Sequence, residues 1–381
     1  MSSKKKLVIV GPAYPFRGGQ ALVEAHLFHV LSEMGYDCHT VSYKLLYPSI
    51  FFPGTTQYDK SSIIPFEHND RIEFIINSVN PLTWFKAAKR IKQLKADGVL
   101  FVWWMPFFGP ALSTIARLLH KAGIRIFFLV ENYVSHEQRW FDHYATKQTL
   151  KYADAFISES QYITKQLNEA FPATPLYQAT LSVYDYYDLN HYTQETAKAH
   201  LGIKTKKTVL FFGLIRPYKG LAKLIVAFKE LLKTQPDTTL LIAGECYEDE
   251  KKYHDLISQN GLEDKTVFIN RFVPNEEVEP YLKAADVVCL PYDSGTQSGV
   301  LMMAYGFKKP VVVTDVGGIA ELVQDGKTGK IIPNNSTENL VHGLSAVLNN
   351  NTEDYAQNIN EMIHGLGYKK LHEFIDKNLN K

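Results

Sequence analysis

The sequence predicts an α/β protein of two Rossmann-like, doubly wound domains that face each other across a cleft. Its 381 residues are too many for one ordinary hydrophobic core and suit two domains. Short β-branched and aromatic runs alternate with longer amphipathic stretches, as in parallel sheets with crossover helices. This alternation stops over residues 183–207, where several Tyr are interspersed with Asp and Asn, and then restarts. We therefore interpret residues 183–207 as an interdomain linker.

A short apolar run follows Lys6 and ends at Gly11-Pro12, which predicts that the first domain begins with a buried strand. Apolar runs of strand length predict the strands Leu7–Val10, Cys38–Ser42, Val99–Trp104, Arg125–Val130 and Ala155–Ser158. The amphipathic stretches between them predict the helices 21–34, 110–121 and 146–153. This set is sufficient for one doubly wound domain.

The second domain repeats the pattern. The predicted strands are Thr208–Phe212, Thr239–Ala243, Val267–Asn270, Val287–Pro291, Pro310–Thr314 and Gly329–Ile332. The predicted helices are Leu221–Leu232, Lys252–Asn260, Glu276–Ala285 and Glu338–Leu348. From about Thr352 onward, the spacing of the apolar residues predicts further helices, interrupted near Gly365–Gly367.

Composition excludes some classes of function. Lys plus Arg number 41 against 40 Asp plus Glu, a balance that gives no indication of nucleic-acid binding. Three cysteines lie far apart and outside any metal-binding spacing, which is typical of reduced thiols in a cytosolic protein. No apolar run reaches the length of a membrane span. We expect a cytoplasmic protein, with surface attachment to a membrane left open.

Phe212–Gly220 lies between a predicted strand and a predicted helix and contains Gly213, Arg216 and Lys219. A glycine at a strand end permits close backbone approach, and the following helix N-terminus favours an anion. Arg216 offers a fork of donors and Lys219 a point charge, and both suit a diphosphate. The alternative is an ordinary turn with two solvated cations.

Residues 292–300 again connect a strand to a helix start and are rich in small and hydroxylated residues. Their amides and hydroxyls suit phosphate binding. The candidate binding residues are Thr296, Gln297, Ser298, Gly299 and Val300. The alternative is a plain helix cap.

Two further glycine loops follow buried strands. Thr314–Val323 contains a Gly-Gly pair, typical either of a turn lining the cleft or of plain turn chemistry. Gly11–Gly19 is not G-x-G-x-x-G, so the dinucleotide fingerprint is absent. Gly18 and Gly19 precede a helix and could offer amides to a substrate.

The order of these motifs resembles bacterial family-four retaining glycosyltransferases of the GT-B fold, most specifically over Ser298–Val323. The resemblance implies that Gly18 and Gly19 meet the distal phosphate or the sugar. It also implies that Arg216 and Lys219 grip the diphosphate in place of a metal. The helix start at residues 296–299 would hold phosphate. A nicotinamide dehydrogenase is disfavoured because neither domain has the dinucleotide fingerprint.

The sequence departs from the family at two places. The family usually has Glu-x7-Glu on the late loop and helix, whereas the matching residues here are Gly295 and Met303. Ribose recognition would then use other groups. The family also places a His near the sugar after a central strand of the first domain. Here that strand is followed by Glu131, with His136 five residues further on, so both are candidates for contacting sugar or acceptor.

The resemblance implies a retaining, metal-independent transfer from a UDP- or GDP-linked sugar to a glycan or lipid-linked acceptor. The expected domains are residues 1–190 for the acceptor and 191–352 for the donor, with a tail, 353–381, packing back on the first domain. Two alternatives stay open: an epimerase or phosphorylase on the same architecture, or a non-catalytic binding module that lost the Glu pair. Peripheral association with the inner membrane face is also an expectation.

Overall fold

The computed structural model describes residues 4–48, 52, 56–59, 61, 69–133 and 142–380. They divide into two compact units. The first unit takes the described residues up to Thr180, apart from Ser61, and takes the chain again from Tyr368 onward. The second takes Ser61 together with Leu181–Gly367.

The sheet of the first unit has seven parallel strands in the order β3-β2-β1-β4-β5-β6-β7. Its strands are β1 Lys6–Val10, β2 Asp37–Leu45, β3 Ile72–Asn77, β4 Gly98–Trp103, β5 Arg125–Val130, β6 Ala155–Ser158 and β7 Leu176–Gln178. The strand order reverses between β1 and β4. Loops at the carboxyl ends of these strands are therefore where this architecture binds ligands.

The helices that accompany this sheet are α1 Gly19–Glu33, α2 Pro81–Gln93, α3 Gly109–His120, α4 Asp142–Leu150 and α5 Gln161–Ala170. The start of α2 is fixed by Asn80, whose side-chain oxygen accepts a hydrogen bond from the amide of Leu82 at 3.1 Å. Pro81 occupies the first position of α2, where its missing N–H costs nothing.

The C-terminal segment packs on the first unit through α13, Leu371–Leu379. Asp376 accepts hydrogen bonds from Lys5 at 3.1 Å and from the Tyr36 hydroxyl at 2.9 Å. A Cβ on Gly98 would lie 2.7 Å from a methyl carbon of Leu379, so the helix lies close against β4. The predicted return of the C-terminal helix to the first domain is confirmed.

The second unit has a six-stranded parallel sheet in the order β10-β9-β8-β11-β12-β13. Its strands are β8 Lys207–Phe212, β9 Thr238–Ala243, β10 Thr266–Ile269, β11 Val287–Leu290, β12 Val311–Thr314 and β13 Gly329–Ile332. Its helices are α6 Gln194–His200, α7 Leu221–Leu231, α8 Lys251–Gln259, α9 Val278–Ala284, α10 Gly299–Gly306, α11 Thr337–Leu348 and α12 Thr352–Ile363. The order reverses between β8 and β11.

The bounds of the units differ from the expected domains in two places. Tyr184 is 3% exposed, and its amide donates to the carbonyl of Met302 at 3.4 Å, so the chain from Leu181 packs with the second unit. Tyr355 on α12 belongs to the core of the second unit. Residues 353–367 therefore pack with the second unit, and only the chain from Tyr368 returns to the first.

Four elements of the first unit were not predicted: β3, α2, α5 and β7. Burial explains the weak signal of β3, because its strand faces are only partly buried at the edge of the sheet. The start signals of the helices were present, as Asn80-Pro81 for α2 and Ser160 for α5. Among the described residues, no helix is long and apolar enough to cross a membrane.

Candidate functional site

The loop after β8 is held in its shape by two glycines. Gly213 has φ +96°, and a Cβ there would lie 3.2 Å from a methyl carbon of Val300 at the start of α10. Gly220 has φ +73°, and a Cβ there would lie 2.0 Å from the carbonyl oxygen of Pro291. Residues other than glycine rarely adopt such φ values, and a Cβ at residue 220 would clash with backbone. The loop thus lies directly against the segments that follow β11.

Lys219 ends the short 3-10 turn of this loop and is half-buried. Its ammonium lies 3.7 Å from the place where a Cβ on Gly213 would stand, and 5.3 Å from the ring centroid of Tyr292. Within the described part of the chain, no carboxylate pairs with it. Burial lowers the pKa of Lys219, the neighbouring Tyr218 raises it, and the charge of Arg216 lowers it. An anion bound here would stabilise the ammonium.

Arg216 precedes the same turn in extended conformation. Its guanidinium carbon lies 4.9 Å from the ring centroid of Tyr247, a cation–π distance. The ring restricts the side chain without neutralising its charge. Two cations therefore lie on one short loop, as predicted from the sequence.

The start of α10 contributes amides. Ser298 is its N-cap, with its hydroxyl accepting from the amide of Leu301 at 3.3 Å. The next two amides, of Gly299 and Val300, donate to no group among the described residues. A helix N-terminus carries a partial positive charge of roughly +0.5 elementary charge. Since Val300 contacts Gly213, these amides lie on the same side of the unit as the Lys219 loop.

The residues just before α10 are largely enclosed. Thr296 is 8% exposed and Ser298 6%. The side-chain nitrogen of Gln297 is buried and has no hydrogen-bond partner in the described part of the chain. An enclosed donor without an acceptor is costly, so this amide is available to a ligand.

A polar network that the sequence did not reveal fixes the two loops to each other. The Asp293 carboxylate accepts from Lys223 at 2.6 Å and from Asn335 at 3.0 Å. The amide of Asp293 donates to the carbonyl of Tyr218 at 2.7 Å. Asn335 also donates to the carbonyl of Pro291 at 2.7 Å. These residues lie on separate elements, and no local spacing in the sequence indicates their pairing.

At residue 295, the position of the missing first Glu, a side chain would have to displace Ile319. A Cβ on Gly295 would lie 2.4 Å from the terminal methyl of Ile319, and the carbonyl of Gly295 accepts from the amide of Gly318 at 3.2 Å. The Gly-Gly turn after β12 therefore packs directly on the loop before α10. Met303, at the second Glu position, is half-buried. The glycine that replaces the first Glu of the family pattern thus permits the close approach of Ile319.

In the first unit, Gly18 and Gly19 lie at the start of α1 and are both exposed. Gly18 has φ +110° and caps α1 without a side chain. Gln20 follows, and its side-chain oxygen lies 3.7 Å from the place of a Cβ on Gly18. The other end of this amide donates to Glu131 at 3.2 Å. The predicted glycine loop and Glu131 thus meet through Gln20.

Glu131 directly follows β5 and is 8% exposed. Its second carboxylate oxygen is enclosed, and within the described residues it has no hydrogen-bond partner. Burial and the charge of Glu159 raise the pKa of Glu131 to about 8, although the bond from Gln20 lowers it. A pKa of about 8 favours the protonated form of Glu131 at neutral pH.

Other sequence candidates of the first unit have different outcomes. His136 lies outside the described residues. Trp103 and Phe108 are fully buried and belong to the core of the first unit. Phe107 is half-buried and stacks on Tyr47 with ring centroids 5.9 Å apart.

Comparison with known families identifies the second unit. The family model "Glycosyl transferases group 1" matches residues 193–363, nearly the whole of that unit. The chain is 30% identical over 214 residues to a D-inositol 3-phosphate glycosyltransferase of Corynebacterium aurimucosum, covering 53% of this chain and 50% of the relative. It is 28% identical over 202 residues to a putative glycosyltransferase, YtcC, of Bacillus subtilis, covering 49% of each. The chain spans about half the length of the curated relatives it matches.

Solved structures are similar over the whole chain. HepE of Anabaena, determined in complex with UDP, has a TM-score of 0.75 at 18% identity and covers 99% of both chains. Sucrose-phosphate synthase from Thermosynechococcus elongatus has a TM-score of 0.73 at 16% identity and covers 98% of both. These similarities show the fold. The predicted resemblance to a bacterial GT-B glycosyltransferase is confirmed, with residues 193–363 matching the glycosyl transferases group 1 model.

Proposed function

We propose that the chain transfers a sugar from a nucleoside diphosphate sugar to a hydroxyl of a glycan or lipid-linked acceptor. The observation that carries this proposal is the ammonium of Lys219, which lies without a described carboxylate partner beside Gly213 and near the amide-rich start of α10. Such a group of donors suits a diphosphate. The structural relative HepE was determined with UDP.

In this proposal, the bond between the anomeric carbon and the diphosphate oxygen breaks, and both electrons stay on that oxygen. Arg216 and Lys219, with the amides of Gly299 and Val300, stabilise the charge that develops there. The acceptor oxygen attacks the same face of the sugar, and its proton passes to the leaving phosphate oxygen. The product keeps the anomeric configuration, and the two side-chain cations act where another enzyme would use a metal ion.

Nucleotide binding tests the diphosphate site directly. UDP, GDP and their common sugar conjugates would be titrated by calorimetry and thermal shift. A nucleotide at 100 times its Kd should stabilise the native protein by about 2.7 kcal/mol. Arg216→Ala and Lys219→Ala should abolish this effect, whereas the matched control Lys229→Ala, an exposed lysine on α7, should keep it. Equal binding by all four proteins would refute the proposed site, and the preferred base identifies the donor.

A non-catalytic binding module is favoured by one observation, the packing of Ile319 where a Glu side chain would stand at residue 295. Incubation of the nucleotide sugar with an acceptor panel separates the two functions. D-inositol 3-phosphate belongs in this panel because a relative is named for it. Transfer gives an acceptor-dependent product, an epimerase consumes donor without acceptor, and a binding module binds without turnover. Analysis of the anomeric configuration, with and without a chelator, tests retention and metal independence.

We also propose that the first unit lies on an anionic membrane surface through one face of α2. Leu82 and Phe85 are 78% and 51% exposed on this helix. Lys86, Lys89 and Lys92 share their face, since residues three and four apart are neighbours on a helix. In the described part of the chain, no carboxylate pairs with these lysines. Apolar insertion beside lysines that each add about 1 kcal/mol is the chemistry of a negatively charged lipid surface.

Vesicle sedimentation tests this surface. The protein should pellet with phosphatidylglycerol vesicles and stay in the supernatant with phosphatidylcholine vesicles. Lys86→Glu/Lys89→Glu and Leu82→Ser/Phe85→Ser should each release it. The control Val226→Ser/Lys229→Glu makes the same types of change on the exposed face of α7 and should bind as the wild type does. Binding unaffected by the α2 changes, or a concentration-dependent dimer lost with them, would refute a lipid partner.

A further inference from the structure

Two buried carboxylates lie side by side at the carboxyl edge of the first unit's sheet. Val130 of β5 pairs with Ser158 of β6, and the next residue on each strand is a glutamate. Glu131 is 8% exposed and Glu159 is 2% exposed. Two like charges so close in a buried place cannot both ionise freely, so the neighbours decide which one keeps a proton.

The two carboxylates accept hydrogen bonds from different groups. The hydroxyl of Tyr368 donates a hydrogen bond to Glu159. Tyr368 is 5% exposed and comes from the C-terminal segment, 209 residues further along the chain. Donation to an oxygen of Glu159 favours its ionised form. Among the described residues, Glu131 accepts a hydrogen bond from the neutral amide of Gln20, and its other oxygen has no partner there.

His26 and Glu24 are ionisable groups of α1, the helix that also carries Gln20. The ring of His26 on α1 lies 5.8 Å from that of Tyr368. Glu24, also on α1, is buried and accepts a hydrogen bond from Thr40 of β2. The arrangement therefore assigns the negative charge to Glu159 and the proton to Glu131, in agreement with the raised pKa of Glu131.

We propose that Glu159 and Tyr368 are positioning residues that keep a proton on Glu131, so that Glu131 donates a hydrogen bond to a hydroxyl of a sugar bound at this edge of the first unit's sheet. The same carboxyl accepts from Gln20 and holds that side chain beside Gly18. No covalent bond is made or broken by Glu131 in this role. This inference rests on the proposed sugar transfer, because it names a sugar hydroxyl as the ligand. It also makes the C-terminal segment part of the site.

The pH dependence of sugar transfer tests the inference. Wild-type kcat/KM should fall about tenfold per pH unit above an apparent pKa of about 8, as Glu131 loses its proton. Glu131→Gln should give a lower activity without this alkaline limb, because the amide remains a donor at every pH. Glu131→Leu should lose activity at least tenfold at all pH values. An unchanged limb in Glu131→Gln would overturn the role of Glu131.

Tyr368→Phe tests the positioning role separately. Without the tyrosine hydroxyl, the ionised form of Glu159 is less stable, so its charge raises the pKa of Glu131 less. The alkaline limb should therefore move to lower pH by at least half a unit, while the fold is verified by an unchanged circular dichroism spectrum. A merely structural role would change activity without moving the limb, and that result would overturn the assignment to Tyr368.

A readout without turnover separates failure of this inference from failure of the proposed function. The pKa of Glu131 is raised in the folded state, so the wild type loses stability relative to Glu131→Gln as pH rises from about 4.5 to about 8. The Tm of the wild type minus the Tm of Glu131→Gln should therefore become more negative over that window and level off above it. Glu169→Gln, an exposed change on α5, should show no such trend. A flat Tm difference overturns the proton assignment, whereas a widening one beside absent nucleotide binding overturns only the sugar-transfer proposal.

Discussion

The loop after β8 and the carboxylate pair after β5 and β6 each contain an ionisable group whose charged form is disfavoured. The two groups have opposite charges. In the second unit, Lys219 is a cation that burial and a neighbouring cation disfavour. In the first unit, Glu131 is an acid whose charged form burial and a neighbouring anion disfavour. Both groups are less stable in their charged forms than they would be in water. The comparison teaches that neither charge is placed to stabilise the fold, which is typical of functional sites and supports the ligand roles proposed for both positions.

The two places also differ in what holds them. The lysine loop depends on backbone, since Gly213 and Gly220 have positive φ and contact neighbouring segments closely. The carboxylate pair depends on side chains that come from distant parts of the chain, Gln20 and Tyr368. A glycine substitution should therefore damage the first more than the second, and a tail variant should do the reverse.

The largest effect is expected from removing the cations. Lys219→Ala or Arg216→Ala should lower kcat of sugar transfer by about 10²–10³-fold, or about 3–4 kcal/mol, because the leaving diphosphate loses a charged donor. Steady-state kinetics with a nucleotide sugar measures it. Lys229→Ala should change kcat by less than twofold. A loss of the same size in the control would mean that net charge, and not the loop, is what matters.

A backbone change comes next. Gly220→Ala should lower the free energy of unfolding by about 3 kcal/mol, because the new Cβ meets the carbonyl of Pro291 at 2.0 Å in a left-handed conformation. Gly261→Ala is the matched control. Its φ is +65° with open space around it, so it should cost only about 1 kcal/mol. Urea denaturation compares the two, and equal losses would show that strain alone, without the contact, sets the cost.

Removal of the charge at residue 219 sharpens the comparison with Glu131. Because the pKa of Lys219 is lowered by folding, its protonated form opposes folding at neutral pH, and this cost fades as pH rises through the lowered pKa. Lys219→Met should thus raise the free energy of unfolding by about 1 kcal/mol at pH 7 without ligand. Thermal unfolding at pH 7 and at pH 10 tests it. A variant less stable than the wild type would contradict the assignment of the lysine to a ligand.

The smallest effect is expected at the polar network beside the loop. Lys223 and Asp293 are 50% and 44% exposed as side chains, so their ion pair is largely screened. Lys223→Ala should cost about 0.5 kcal/mol or less and should leave nucleotide affinity within threefold of the wild type. Calorimetry and urea denaturation check both values. A larger loss of affinity would place Lys223 with the diphosphate-binding cations.

The sequence by itself determined the two α/β units and the cationic loop of the second unit. Apolar periodicity predicted most strands, and the glycine, arginine and lysine of residues 213–220 predicted a cationic loop after β8. The structure places Gly213 of this loop against Val300 at the start of α10. These signals are local, because hydrophobic period and turn chemistry act over a few neighbouring residues. The contribution of His136 stays a prediction.

Only the tertiary structure decided the carboxylate pair and the network around Asp293. Glu159 becomes the neighbour of Glu131 because β5 and β6 pair in register, and Tyr368 reaches it because the chain returns to the first unit after residue 367. The tight packing of Ile319 against Gly295 likewise joins two loops that follow different strands. Strand order and chain return bring distant residues together, and no spacing along the chain records which side chains then share a buried charge.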